Sequence, residues 1–326
     1  MSASASASAS ANVIRPSSAQ ELSDAVRAAC HSRQHLGSID LTALNRILQH
    51  VPEDMTVKVE AGISLGILQR ALAMQGQWIP VDPFTPGELS VEEMLASDLS
   101  GPRRYGFGPV RDHVIGMQVV LGDGRLIKSG GQVVKNVAGY DLMKLFMGSR
   151  RSLGVITEAS FKLLPLPEFE AVFACTQESP DATSDLLERV HASALTPVVL
   201  DVYRLTPNDD VTLVVGIAGS REDGAWQIGE LQRLGNFEMS DLSYEARFWS
   251  SVSRERVTRI SVRPSDLMNV ISQQQEKRFV ARAGNGIAYV DGAEVAVKVQ
   301  DPVAAALSAR IKQTYDPQGV LPSLSP

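Results

Sequence analysis

Apolar residues recur along the first half of the chain with two periods, one helical and one strand-like. Residues 16–30 and 64–77 place apolar side chains three or four positions apart, which predicts two amphipathic helices. Residues 55–62 and 152–167 carry β-branched runs and predict strands. Residues 113–130 predict a hairpin that turns at Gly-Asp-Gly.

The pattern changes beyond Pro167, where strands and helices follow one another in two similar runs. Each run reads strand, helix, strand, strand, helix. This order favours an antiparallel sheet with helices on one face, so we predict an α+β protein. The expected division is a disordered Ser/Ala tail at 1–12, a first domain at 13–167, and a second α+β domain with a C-terminal helix at 168–326.

The composition is that of an ordinary globular protein, with 44% hydrophobic and 21% charged residues. The net charge of −6 argues against a nucleic-acid partner. Two cysteines, Cys30 and Cys175, are too few for a disulfide scaffold and indicate a reducing, cytoplasmic setting. The Ser/Ala start does not read as a signal peptide, and no apolar run approaches the ~20 residues of a membrane helix, so membrane contact is expected only through partners.

Common catalytic and metal motifs do not account for the chain. There is no P-loop, and the GFGPVR segment lacks the third glycine of a dinucleotide fingerprint. His31 and His35 lie near Cys30, but nothing nearby completes a metal set, so surface histidines are the favoured interpretation and no metal site is predicted. Trp226 and Trp249 mark either a partner surface or the core of the second domain, and the core is the favoured interpretation for both.

Residues 60–165 carry several motifs that together resemble one flavoprotein family. The motifs are SGPRR at 100–104, RDHVIG at 111–116, GGQVVKNVAGYDL at 130–142 and LGVIT at 153–157. They resemble the PCMH-type flavin-binding domain of vanillyl-alcohol-oxidase-type flavoproteins. Within that group they are most similar to the FAD-binding E subunit of glycolate oxidase, over roughly a third of the chain.

The resemblance implies a two-lobed domain, with FAD extended between two small α/β lobes and held by backbone groups of glycine-rich turns. It implies no catalytic residue. The cofactor-binding residues that it implies are Ser100, Gly101, Pro102, Arg103, Asn136, Gly139, Tyr140, Asp141, Gly154, Val155 and Ile156.

Three departures from the family pattern concern the diphosphate of FAD. The first glycine-rich loop is missing, since only residues 31–39 follow the first helix. The second loop has the sequence Thr/Ser-x-Gly-Gly in the family, but here Glu92 and Glu93 replace the two glycines. Repulsion between a carboxylate and a phosphate charge ~4 Å away costs up to about 4 kcal/mol at an effective dielectric of ~20. Arg150 and Arg151 replace a family glycine, and they either pair with the glutamates, bind a phosphate or lie on a solvated surface.

Two functions follow from the resemblance, and both remain open. In the first, the chain is the FAD-binding subunit of a glycolate oxidase complex that oxidises glycolate or a related small 2-hydroxy acid. Its partners are then a D-type flavoprotein subunit and an iron–sulfur subunit. In the second, the chain has lost the flavin and only assembles or stabilises that complex. The features that separate the two are Glu92, Glu93 and the missing loop.

Overall fold

The computed structural model describes most of the chain, and the fold is the expected mixture of helices and antiparallel sheet. The predicted Ser/Ala tail lies outside the described residues, as do most of the loop that precedes the predicted helix near residue 145 and most of the last predicted strand. The described residues are 13–84, 87–131, 142–274, 276–293 and 301–323.

The first part of the chain contains a five-stranded antiparallel sheet and a two-stranded ribbon. Its elements are α1 (Ala19–Ser32), β1 (Ile47–Val51), β2 (Thr56–Glu60), α2 (Leu65–Ala73), β3 (Gln77–Trp78), α3 (Val91–Ala96), α4 (Arg104–Phe107), β4 (Val114–Leu121), β5 (Leu126–Gly130), α5 (Met143–Phe146), β6 (Gly154–Lys162) and β7 (Leu164–Pro165). The sheet has the order β1-β2-β6-β4-β5, and β3 pairs with β7. The predicted hairpin is confirmed as β4–β5, with Gly124 at a φ of +79° in its turn.

One face of the five-stranded sheet carries the larger core. Val59 of β2 and Phe161 of β6 are completely buried on this face. Helix α2 packs here because Leu65, Leu68 and Leu72 recur at helical spacing, and all three are completely buried.

Helix α1 packs directly on the opposite face of the same sheet. Its Leu22 is completely buried in a second core with Val120 and Val155, which point away from the larger core. After α1 the chain turns back at once, and Ile39 forms a parallel bridge with Ile14. We call α1 and this bridge the first lobe. The first lobe meets the sheet through this hydrophobic core.

The second part of the chain forms a seven-stranded antiparallel sheet with the order β11-β8-β10-β9-β13-β14-β12. Its elements are β8 (Phe169–Gln177), α6 (Pro180–Ala192), β9 (Val199–Arg204), β10 (Val211–Gly219), α7 (Arg221–Leu234), β11 (Glu238–Ser240), α8 (Ser243–Ser251), β12 (Val257–Ser261), α9 (Leu267–Ser272), β13 (Phe279–Arg282) and β14 (Ile287–Asp291), followed by α10 (Pro302–Tyr315).

Helices cover both faces of this second sheet, so the expectation of helices on one face is wrong. Helices α6, α7 and α9 pack on one face, as expected. Helix α8, which the sequence analysis did not predict, packs on the other face through Tyr244 and Phe248. Trp249 of α8 joins this packing, whereas Trp226 is 51% exposed, so the core prediction for Trp226 is wrong.

The predicted C-terminal helix is present as α10, but it returns to the first sheet. The Tyr315 ring lies 5.5 Å from the Phe146 ring, and Ile311 packs against the larger core. Lys312 Nζ donates to the Ser152 carbonyl (2.8 Å). The division into domains at 13–167 and 168–326 therefore stays a prediction. Across the described ranges, every helix is too short or too polar to cross a bilayer.

Close packing at Gly62 generates a stability prediction. A Cβ built on Gly62 would lie 1.8 Å from the Leu41 carbonyl oxygen. We expect Gly62→Ala to lower the free energy of unfolding by more than about 2 kcal/mol, because backbone would have to move. At the exposed position Gly229 of α7, an added Cβ would meet no atom within 4 Å. Gly229→Ala should therefore raise the free energy of unfolding by about 0.5–1 kcal/mol. Urea denaturation measures both, and wild-type stability in Gly62→Ala would contradict this packing.

Candidate functional site

The turn at Ser100–Arg103 is built around Asp82. The Asp82 amide donates to the Ser100 carbonyl (3.1 Å), and the Asp82 carboxylate accepts from the Arg103 amide (3.1 Å). Gly101 has a φ of +81°, and a Cβ there would lie 2.1 Å from the Asp82 carbonyl oxygen. Pro102 is buried beside it. Four of the predicted cofactor residues, Ser100–Arg103, therefore lie together. The group that their backbone approaches closely is Asp82 of the same chain, and not a cofactor.

The side chain of Arg103 connects this turn to the second sheet. Its Nη1 lies 2.7 Å from Asp82 Oδ2, and its Nε lies 2.7 Å from Oε1 of Glu170 on β8. The guanidinium also lies 5.6 Å from the centre of the Trp78 ring, within cation–π range. Arg103 is thus committed to contacts within the protein and ties the Ser100–Arg103 turn to the second sheet.

A second charged cluster lies where β9 and β13 meet α8, and the sequence analysis missed it. Nη1 of Arg282 lies 2.5 Å from Asp201 Oδ2 and 2.5 Å from Glu245 Oε1. The Tyr244 hydroxyl donates to Asp201 Oδ2 (2.6 Å), and all four side chains are buried. One sequence signal for this cluster was available. Asp201 in VVLDVY and Arg282 in FVARA are each a single charged residue within an otherwise apolar predicted strand.

Burial changes the protonation of two aspartates in these clusters. It raises the pKa of Asp82 to about 7, and the nearby charge of Arg103 only partly opposes this shift. Burial likewise raises the pKa of Asp201 to about 6, against the attraction of Arg282. Arg103 and Arg282 each contact two acidic side chains, so their hydrogen-bond donors are engaged within the protein.

A small cavity lies between the turn and the second cluster. Its walls include Phe84, Gly101, Trp249 and Arg282, and its volume is about 60 Å³. Sites for small molecules usually have volumes of ~300–1,000 Å³. The cavity therefore has room for a few water molecules but not for a flavin ring.

Glu92 and Arg151 form a buried ion pair at the start of α3. Arg151 Nε lies 2.9 Å from Glu92 Oε1, Nη2 lies 2.5 Å from Oε2, and the Glu92 side chain is only 1% exposed. Arg151 Nη1 also donates to the carbonyl of Ile39 in the first lobe (2.9 Å). Burial acts to lower the pKa of Arg151, but the hydrogen bonds and charge of Glu92 outweigh it and raise that pKa. Of the alternatives left open, pairing with a glutamate is confirmed for Arg151, whereas Arg150 is exposed.

The backbone donors at the start of α3 are also occupied. The first helical amide donates to the Ile63 carbonyl (2.9 Å), and the second donates to the Ala61 carbonyl (2.6 Å). The third, from Glu93, donates to Ser90 Oγ (3.1 Å), and the Glu93 carboxylate accepts from the Ser90 amide in a capping box. The first three backbone amides of α3 are therefore not free to donate hydrogen bonds to a diphosphate.

The remaining predicted cofactor residues fall into two groups. Gly154, Val155 and Ile156 open β6 and pair with β4, and a Cβ on Gly154 would lie 2.5 Å from Val119 Cγ1. Close packing of two strands therefore requires this glycine. The other four predicted residues lie outside the described part of the chain, and they are Asn136, Gly139, Tyr140 and Asp141.

Two features of the described residues do not fit FAD in this conformation. A buried carboxylate occupies the start of α3, where the resemblance places the anionic diphosphate. The cavity beside the Ser100–Arg103 turn is too small for the flavin ring. Binding of the cofactor would require these contacts to rearrange.

Comparison with known proteins nevertheless supports the FAD-binding, PCMH-type family and FAD as its cofactor. Residues 37–130 match the family described as an FAD binding domain. The chain is 35% identical over 172 residues to the glycolate oxidase subunit GlcD of Bacillus subtilis, covering 53% of this chain and 36% of that protein. It is 36% identical over 152 residues to the glycolate oxidase subunit GlcE of Escherichia coli, covering 46% and 43%.

A further relative is the mitochondrial D-lactate dehydrogenase [cytochrome] of Arabidopsis thaliana. It is 39% identical to this chain over 137 residues, which cover 42% of this chain and 24% of that protein. The chain thus spans less than half the length of each of these three relatives. Among solved structures, alkyldihydroxyacetonephosphate synthase superposes with a TM-score of 0.74 at 15% identity, covering 95% of this chain and 75% of that one. That likeness shows the fold, and it extends over both sheets.

The raised pKa of Asp82 predicts how stability depends on pH. The folded chain holds a proton on Asp82 up to about pH 7, whereas the unfolded chain releases it near pH 3.8. The contribution to stability is therefore complete below about pH 4 and is lost as the pH rises through about 7. We expect the unfolding free energy of the wild type, relative to that of Asp82→Asn, to fall by about 2–3 kcal/mol from roughly pH 5 to pH 8. Denaturant titrations of both proteins at each pH measure this difference in unfolding free energy. A wild-type advantage over Asp82→Asn that grows with pH would refute the prediction.

The two neighbouring arginines provide a matched pair of variants. Both have left-handed backbone, with φ of 49° at Arg150 and 65° at Arg151. Arg151→Gly leaves Glu92 buried without its partner and should cost about 3–5 kcal/mol. Arg150→Gly relieves an unfavourable backbone conformation and should remain within about 1 kcal/mol of the wild type. Equal losses in urea denaturation would show that the turn, and not the ion pair, is what matters.

Proposed function

We propose that the chain is a subunit of an FAD-linked, 2-hydroxy-acid-oxidising complex of the glycolate oxidase type. The observation that carries the proposal is its similarity to two glycolate oxidase subunits, over 172 and 152 residues of the chain. The SGPRR turn supports the E-type position within such a complex, because it resembles that subunit. The expected partners are a D-type flavoprotein subunit and an iron–sulfur subunit, with glycolate or a related small 2-hydroxy acid as substrate.

The small volume of the cavity supports an assembly role for this chain, with the oxidation itself carried out by the D-type partner. A 2-hydroxy acid is an anion and needs a cation with free hydrogen-bond donors to orient its carboxylate. Of the two arginines that line the cavity, Arg282 is held between two carboxylates, whereas Arg104 makes no side-chain ion pair with the described residues, so the supporting role rests on the size of the cavity. The chain would then serve to assemble or stabilise the complex in the cytoplasm, and reach any membrane through its partners.

The second candidate function is that the chain carries FAD and takes part in the oxidation. The family match of residues 37–130 favours this alternative. The chain's own residues would then hold the cofactor through the turns named above, after the Glu92–Arg151 pair has opened.

Co-expression with the partner subunits from the same source tests the proposed role. We expect the chain to co-purify with the D-type and iron–sulfur subunits, because its role is assembly. Glycolate-dependent reduction of a dye should be lost when the chain is left out of the expression, with D-lactate as the comparison substrate. A two-subunit complex that is stable and fully active without the chain would refute the proposal.

A further inference from the structure

We propose that the Glu92–Arg151 ion pair is an internal substitute for the diphosphate of FAD, so that the chain folds without the cofactor and takes it up only when the pair opens. The inference deepens the proposed function in one respect, the state of its cofactor site. It rests on the FAD-binding-domain match and not on membership of a particular complex.

The ion pair makes the contacts that a bound diphosphate would otherwise make between the two halves of the domain. Glu92 supplies a negative charge at the start of α3, and Arg151 carries this link across to the Ile39 carbonyl of the first lobe. The first lobe lacks the glycine-rich loop of the family, so the link depends on side chains. A guanidinium that meets a carboxylate through two nitrogens is also well suited to bind a phosphate.

Competition between the carboxylate and a phosphate follows from this arrangement. Glu92 is buried, so an incoming diphosphate would meet its negative charge with little solvent screening. The phosphate could reach Arg151 only by displacing Glu92, which would leave a carboxylate buried and unpaired. Removing the Glu92 charge should therefore free the arginine for the nucleotide.

Glu93 provides a control at the same helix start. Its carboxylate caps α3 through Ser90 and makes no hydrogen bond to Arg151 in the described structure. Glu93→Gln removes the same charge one residue away, without freeing the arginine. Asp291→Asn is the second control, because Asp291 is a buried partner of Arg278 on the second sheet, far from α3 in the fold.

The experiment measures binding of FAD, ADP and riboflavin to the full-length wild type, to Glu92→Gln and to the two controls. ADP contains the diphosphate without the flavin ring, and riboflavin contains the ring without the diphosphate. We expect the wild type to leave gel filtration without flavin. Glu92→Gln should bind FAD and ADP at least about tenfold more tightly than the wild type, a change of ~1.4 kcal/mol, with riboflavin unchanged. Asp291→Asn should bind as the wild type does, and Glu93→Gln should gain clearly less affinity than Glu92→Gln because the arginine stays paired.

Two results would overturn the inference. One is a wild-type chain that retains stoichiometric FAD through gel filtration, and this result does not depend on any variant folding. The other is a folded Glu92→Gln, or Glu92→Gly if Glu92→Gln fails to fold, that binds FAD and ADP no better than the wild type. Assembly with the partner subunits is measured separately, so failure of the proposed complex and failure of this inference give different results.

Discussion

A carboxylate buried at the start of a helix needs a positive charge beside it, and this requirement organises the first domain. Arg151 meets it, and to do so the turn before β6 adopts two consecutive left-handed residues that would otherwise be unfavourable. The amide of Arg150 donates to the Ala96 carbonyl at the end of α3 (2.8 Å), while the Arg151 side chain reaches the start of the same helix. The first lobe, α3 and β6 are therefore held together at one point.

The small size of the first lobe explains why that point matters. The lobe consists of α1 and a single parallel bridge, and it packs on the sheet through Leu22 and its neighbours. Hydrophobic packing of α1 is not directional, whereas the hydrogen bond from Arg151 to Ile39 fixes where the returning chain lies. The ion pair and this hydrogen bond together fix the position of the first lobe relative to α3.

Local patterns in the sequence predicted the elements well and their charged contacts poorly. The β4–β5 hairpin was predictable because Gly-Asp-Gly sets a turn within a few residues. The Glu92–Arg151 contact was one of three alternatives, because 59 residues separate the partners and only the packed sheet brings them together. Helix α8 was missed because two of its apolar residues, Tyr244 and Phe248, are aromatic residues in an otherwise polar segment, and they become buried only against the second sheet. The cluster around Arg282 likewise exists only after three separate elements meet.

Three arginine–carboxylate contacts stabilise the folded chain from within. A domain that binds an anionic nucleotide and an anionic substrate needs cations whose hydrogen-bond donors are free. Here Arg103, Arg151 and Arg282 are each neutralised by carboxylates of the same chain, so they stabilise the folded structure instead of preparing it for an anion. The same pairs join α3 to the first lobe and the Ser100–Arg103 turn to the second sheet. A chain built in this way holds its folded shape through its own side chains, and fold and function can then vary separately.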